Sequence, residues 1–225
     1  MRSYDEIFAI AADRHGGPDA LEAAIARWTP KPAAELAATP DDRWLSSMSQ
    51  RVFSAGFNWQ VIENKWPGFE EAFHGFDVRW CAMMSDEDFD VLLKDKRIVR
   101  NARKIDSVRE NAQFLLELAA EHGGVGKLIA GWPDADYAEL LDVLSKRAAG
   151  MGGGTAMMFL RFMGKPSFIT SASVTAALIR EGVIDKPPSA KRDYKAIQAA
   201  FNDWAQESGR DLTAISRTLA MSIDA

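Results

Sequence analysis

Residues Leu144 to Gly164 read LSKRAAGMGGGTAMMFLRFMG. Apolar residues before Ala148 and after Thr155 recur at helical spacing, and the glycines at 150, 152, 153 and 154 between them mark a tight turn. The reading is helix, glycine turn, helix: a helix-hairpin-helix over about residues 137–164. Glycines carry no Cβ. Backbone N–H groups along Gly150, Met151, Gly152, Gly153, Gly154 and Thr155 can therefore approach an anion, which the partial positive charge of the second helix's first turn also favours. On a nucleic acid such a turn grips phosphate and reads no bases. The same glycines serve equally for close helix–helix packing.

Working outward, the whole chain carries helical punctuation. Ser3 and Glu6 form a capping-box pattern before Ile7, Ile10 and Ala11, and Gly16 and Gly17 stop that helix. Pro18 suits the first turn of the next, with Leu21, Ala24, Ile25 and Trp28 inward. Thr39-Pro40 opens another. Further helices are predicted over Ser85–Leu93, Asn101–Ala120, Tyr137–Arg147, Thr155–Met163, Ala190–Gln206 and Leu212–Met221. The stripe Ile105, Val108, Ala112, Leu115 and Ala119 faces inward, ending at Gly123 and Gly124. Nothing alternates with the period of a strand. The fold class is all-α, and without a low-complexity linker or a fixed repeat, one compact helical domain over 1–225 is expected.

Composition agrees with a globular chain of 225 residues, 47% hydrophobic and 26% charged. No apolar run approaches the roughly 18 residues that cross a membrane, and MRSYDEIFAI has charge where a signal peptide needs an apolar stretch. A single cysteine, Cys81, excludes an internal disulfide and a multi-cysteine zinc site. It fits a reducing compartment, so a cytoplasmic location without a membrane partner is expected. The net charge of −5 argues against a surface basic all over. Nucleic-acid contact must then be local, and one segment offers it: Lys94, Lys96, Arg97, Arg100, Arg103 and Lys104, with Asp95 as the only acid among them. A solvated helix face explains the same run.

Three stretches carry a resemblance to a known family. AAGMGGGTA stands where the helix-hairpin-helix DNA glycosylase superfamily has a Pro-Gly-Ile/Val-Gly-x-x-Thr/Lys-Ala pattern. SAGFNWQVIENKWPGFEEAFHGFD (Ser54 to Asp77) resembles the Gln-Ala-Gly-Leu-Ser-Trp signature of the DNA-3-methyladenine glycosylase I type, and LLKDKRIVRNARKIDSVRENA (Leu92 to Ala112) its Ile-Ile-Arg-Asn-x-x-Lys-Ile signature, in the same order. The match covers about Met48 to Gly182 and fades outside it, as for a divergent subfamily.

The resemblance implies a bilobed helical fold with a cleft, into which an alkylated purine such as 3-methyladenine flips from double-stranded DNA. Its N-glycosidic bond is then hydrolysed, in base excision repair. Extrusion of a base costs a few kcal/mol, least for damaged or mispaired ones. In this reading residues of about 48–77 form the base pocket: Trp59 stacks on the base, and Phe53, Arg51 and Asn58 lie beside it, with Phe57 and Trp66 near in sequence. Gly150 to Thr155, Arg97, Arg100 and Lys104 hold the backbone. Asn58 serves equally as the cap of a helix starting at Trp59, and aromatics at helical spacing serve equally as core.

The chain also departs from the family. Arg51 occupies the position of the base-recognising Glu, and Ser171 that of the superfamily's catalytic Asp. No Lys stands at the Schiff-base position after the hairpin, so a monofunctional enzyme is implied. Glu63, at i+4 from Trp59, is the weak candidate for the lost carboxylate; a solvated Glu paired with a cation is the plainer account. With Cys81, His15, His74 and His122 scattered, no zinc is expected, nor any cofactor, and a monomer is the default. The rival reading is a non-catalytic DNA-binding or damage-sensing protein of the same fold.

Overall fold

The computed structural model describes residues 1–224. Its α-helices are α1 (Tyr4–Arg14), α2 (Pro18–Ala26), α3 (Ala33–Ala38), α4 (Asp41–Ser54), α5 (Trp59–Ala72), α6 (Val78–Ala82), α7 (Asp86–Leu92), α8 (Ala102–His122), α9 (Val125–Gly131), α10 (Tyr137–Arg147), α11 (Gly154–Met163), α12 (Ala172–Arg180), α13 (Lys191–Ser208) and α14 (Leu212–Met221). Among the described residues no strand forms, so the chain is all-α as the sequence indicates. Caps set many boundaries. Ser3 accepts from the Glu6 amide while Glu6 accepts from the Ser3 backbone, and Ser85 with Asp88 repeats this at α7. Asn101 opens α8 by accepting from the Lys104 amide, and Gly123, in the left-handed conformation, closes it.

The chain divides into two compact units, both discontinuous in sequence. The first comprises Met1–Lys31, Trp132–Asp142 and Gly164–Ala225; the second comprises Pro32–Gly131 and Val143–Met163. The chain passes from one to the other after Lys31, after Gly131, after Asp142 within α10, and after Met163.

In the first unit α1, α2, α13 and α14 enclose Ile7, Leu21, Ile25, Phe201, Trp204 and Ile215. Aromatic rings run through it: Tyr137 meets Phe168 edge-on at 4.8 Å, Phe168 lies 4.7 Å from Phe201, and Phe201 meets Trp204 at 5.8 Å. Buried polar groups here are hydrogen-bonded, the Nε of Arg217 excepted. Tyr4 and Thr218 share a hydrogen bond, and the Trp204 indole donates to the Arg2 carbonyl.

In the second unit the amphipathic α4 buries Trp44, Leu45, Met48, Val52 and Phe53 and packs against α5, α8, α9 and α11. Trp44 meets Phe159 of α11 edge-on at 5.8 Å, and Phe53 meets Phe69 of α5 at 4.6 Å. Each such buried ring contributes about 1.5–3 kcal/mol relative to exposure. This packing fixes the glycine turn and the α4–α5 junction to one rigid helix. Close approach matters at Gly126 of α9, where an added Cβ would sit 2.5 Å from the Leu36 carbonyl oxygen of α3.

Candidate nucleic-acid and base-binding site

The glycine turn joins α10 to α11 and rests on α4. Gly150 has φ +73°, and an added Cβ would lie 3.0 and 3.1 Å from the two Val52 methyls, so this glycine is a packing residue. Met151 is also structural, its side chain fully buried and its amide donating to the Ala148 carbonyl at 3.4 Å. Beyond them the character changes. Gly152, Gly153 and Gly154 are exposed, and added Cβ atoms there would meet nothing within 4 Å. Their backbone therefore stands open at the first turn of α11, beside the half-buried Thr155, whose amide donates back to Gly152. That is a surface on which an anion can sit.

The basic run separates into two kinds of cation. Arg97 is held by Asp95 (2.6 Å) and Glu71 (3.1 Å), and these hydrogen bonds raise its pKa. Lys104 turns inward. Its Nζ donates to the carbonyls of Phe53 (3.0 Å) and Ala55 (2.6 Å) and lies 4.9 Å from the Phe57 ring centroid, closing the C-terminal end of α4. Burial lowers its pKa. Both expected backbone-holding cations, Arg97 and Lys104, thus have partners within the protein, carboxylates for the first and carbonyls for the second. Lys94, Lys96, Arg100 and Arg103 are exposed and unpaired among the described residues.

At the α4–α5 junction Trp59, the first residue of α5, is 61% exposed, and Phe57 is 47% exposed. An aromatic so placed is not core. Phe53, expected beside the base, is in contrast completely buried and packs against Phe69. Asn58 caps α5 by accepting from the Gln60 amide at 3.0 Å, which commits the side-chain oxygen that base recognition would use. Trp66 stacks on Phe69 (4.9 Å) and Phe76 (5.3 Å) and donates to Ser46.

Arg51 ends α4 half-buried. Its Cζ lies 4.1 Å from the centroid of the Phe162 ring on α11, its Nη2 donates to Gln50, and its Nε is buried without a partner. Burial lowers its pKa, and the charge of Glu63 acts in the opposite sense. Glu63 itself is exposed on α5. Ser171 caps α12, accepting from the Val174 amide at 3.3 Å.

The sequence reading missed Glu70. It accepts from Arg43 through two nitrogens at 3.0 Å and from Ser46 at 2.6 Å, and Arg43 also reaches Asp42 and the Gly75 carbonyl. Its i+4 spacing from Trp66 was the available signal.

Elsewhere, Cys81 is buried, and burial with the nearby Asp77 pushes its thiol up to about 12, so it is no nucleophile. Among the described residues no three His, Cys, Asp or Glu side chains gather to hold a metal, and no helix is long and apolar enough to cross a membrane. A cavity of about 220 Å³ in the first unit has its charges mutually satisfied, Arg210 on Glu22 and Asp211 on the first amides of α14.

The family model for methyladenine glycosylase matches residues 37–144. The DNA-3-methyladenine glycosylase of Haemophilus influenzae is 30% identical over 64 residues, covering 28% of this chain and 35% of that one. The chain thus matches about a third of the length of this curated relative. Among solved structures, 3-methyladenine DNA glycosylase I of Staphylococcus aureus superposes with a TM-score of 0.50 at 19% identity, over 70% of this chain and 90% of that one. The 8-oxoguanine glycosylase/lyase of Methanocaldococcus jannaschii, solved with a 15mer DNA containing 8-oxoguanine, gives 0.50 at 16% identity over 89% and 87%. The chain shares the all-helical fold of these DNA glycosylases, and the family resemblance read from the sequence is shown over its middle.

Proposed function

We propose that the chain is a monofunctional DNA glycosylase that hydrolyses the N-glycosidic bond of an alkylated purine in double-stranded DNA, the chemistry named for its 3-methyladenine relatives. The observation that carries this reading is Trp59, an exposed indole at the start of α5, in the same unit as the open glycine turn of α11. A flipped base needs a stacking face, and each base–aromatic stack is worth about 1–3 kcal/mol. The turn at Gly152 to Gly154 and the unpaired cations Lys94, Lys96, Arg100 and Arg103 hold phosphates in this reading. Neither surface needs a cofactor or a zinc ion.

The test is release of free bases from methylated duplex DNA by wild type and by Trp59→Ala. Release by wild type that falls about 10-fold or more in the variant supports the reading, since loss of one stack is expected to cost that much. Equal release by both removes Trp59 from the site. A second reading, a lesion sensor without catalysis, is favoured by Ser171, which is committed as a helix cap, and by the absence of a carboxylate at position 51. Duplex binding without release of any base selects it.

A further inference from the structure

Helix α8 carries two polar side chains that end on backbone groups of other segments. Asn111 is completely buried. Its Nδ2 donates to the Ala149 carbonyl at 3.0 Å, and its Oδ1 accepts from the Ala149 amide at 2.7 Å. One side chain thus holds both hydrogen-bonding groups of the residue just past α10. Ala149 leads directly into Gly150, which rests on Val52, and into the buried Met151. The entry to the glycine turn is therefore pinned from α8 and from α4, and the open backbone of Gly152 to Gly154 follows it. Seven residues earlier on α8, Lys104 donates to the Phe53 and Ala55 carbonyls and lies beside the Phe57 ring, at the junction that leads into Trp59. Positions seven apart share a helix face and lie about 10 Å apart along the axis.

We propose that Asn111 and Lys104 are positioning residues: neither touches DNA, but Asn111 sets the phosphate-binding turn and Lys104 sets the stacking indole against one face of α8. That face then fixes the spacing between the two surfaces. This rests on the reading of the glycine turn as the phosphate site and of Trp59 as the stacking residue.

The exposed Gly152, Gly153 and Gly154 carry no side chains to anchor them, so the turn takes its orientation from its entry. Asn111 meets both groups of Ala149 away from water, where a hydrogen-bonded pair is strongest. Parts of a site must be held to within about 0.5 Å of their working geometry, and a displacement of about 1 Å can cost about 10²-fold in rate. A merely structural role predicts something else: loss of either clamp lowers the melting temperature and leaves binding and chemistry of the folded protein as they are.

The experiment measures affinity for undamaged duplex and single-turnover base release from methylated duplex at saturating protein, with thermal melts to establish that each variant folds. Asn111→Ala is expected to weaken duplex binding about 10-fold, the worth of one hydrogen bond to a charged group, and to leave release at saturation within about 2-fold. Lys104→Met is expected to lower release at saturation by about 10-fold or more and to leave the affinity and its salt slope as in wild type. In a Gly152→Leu background Asn111→Ala is expected to cost no further affinity, since both act through one turn. Asn111→Asp is a second variant. Its protonated carboxyl offers one donor and one acceptor as the amide does, so its affinity relative to wild type is expected to recover as pH falls from about 8 to about 5. Additive losses in the Asn111 and Gly152 cycle, or the same profile in Asn111→Ala and Lys104→Met, overturn the proposal and leave the glycosylase reading standing. No release by wild type overturns the glycosylase reading together with the role of Lys104, and the cycle on duplex binding still decides that of Asn111. Wild type that binds no duplex overturns both.

Discussion

Glu70 shows how one carboxylate can organise an aromatic wall. Burial alone would raise its pKa, but the hydrogen bonds from Arg43 and Ser46, with help from the Trp66 indole, outweigh burial and hold it below its ordinary value of 4.5. A depressed folded pKa means that the folded state binds fewer protons than the unfolded one. The network's stability is then fully present above the ordinary Glu range and is lost as pH falls through the folded value. Glu70→Gln is expected to cost about 1–2 kcal/mol near neutral pH, after discounting for partial exposure. The gap between wild type and variant should narrow as pH falls from neutral to below the ordinary Glu value of 4.5. Urea melts at both pH values check this, and a gap independent of pH would show that the ionised carboxylate is not the stabilising group. The i+4 spacing from Trp66 points to Glu70, but its partner Arg43 is 27 positions away and sequence spacing does not reveal that pairing. For the same reason Arg97 and Lys104 look like free cations in the sequence, although Glu71 and the Phe53 carbonyl claim them across distant turns.

Among the elements, the glycine turn was the most legible, and its residues nonetheless divide by task. Gly150 combines a positive φ with contact on Val52, while Gly152 has an ordinary φ and open space beyond it. Gly150→Ala is expected to destabilise the fold by about 1–3 kcal/mol, the usual cost of forcing a side chain into such a conformation. Gly152→Leu should change stability by no more than about 0.5 kcal/mol, as for other open surface positions. On the proposed reading it should nevertheless weaken duplex binding, because the added side chain would occupy the place proposed for a phosphate. Paired thermal melts and duplex titrations separate the two, and Gly152→Leu binding as tightly as wild type would remove the turn from the interface. Helices α10 and α14 have the bounds that periodicity and caps predict, since each carries about three turns of signal. The short α3, α6 and α9 escape such reading. Five to seven residues show too little period, and tertiary contacts such as Gly126 against Leu36 hold them in place.

Over the whole molecule the acidic balance, −5, sets the terms on which DNA can be held. Long-range attraction is weak, so binding must come from a local set of cations together with backbone amides, which carry no net charge. In the proposed reading Lys94, Lys96, Arg100 and Arg103 form that set, since no carboxylate of the protein pairs with them among the described residues. Each phosphate contact releases condensed counterions and steepens the fall of affinity with salt by about 0.9 in the logarithmic slope. Replacing Arg100 and Arg103 together by Ala is expected to flatten the slope for undamaged duplex by about 2 and to weaken binding evenly across sequences. Arg97→Ala is expected to flatten it less than either single replacement, because Asp95 and Glu71 already hold that charge. Anisotropy titrations between about 50 and 200 mM salt read these slopes directly. If the double variant keeps the wild-type slope, the basic run leading into α8 is a solvated face and the glycine turn must hold the duplex alone.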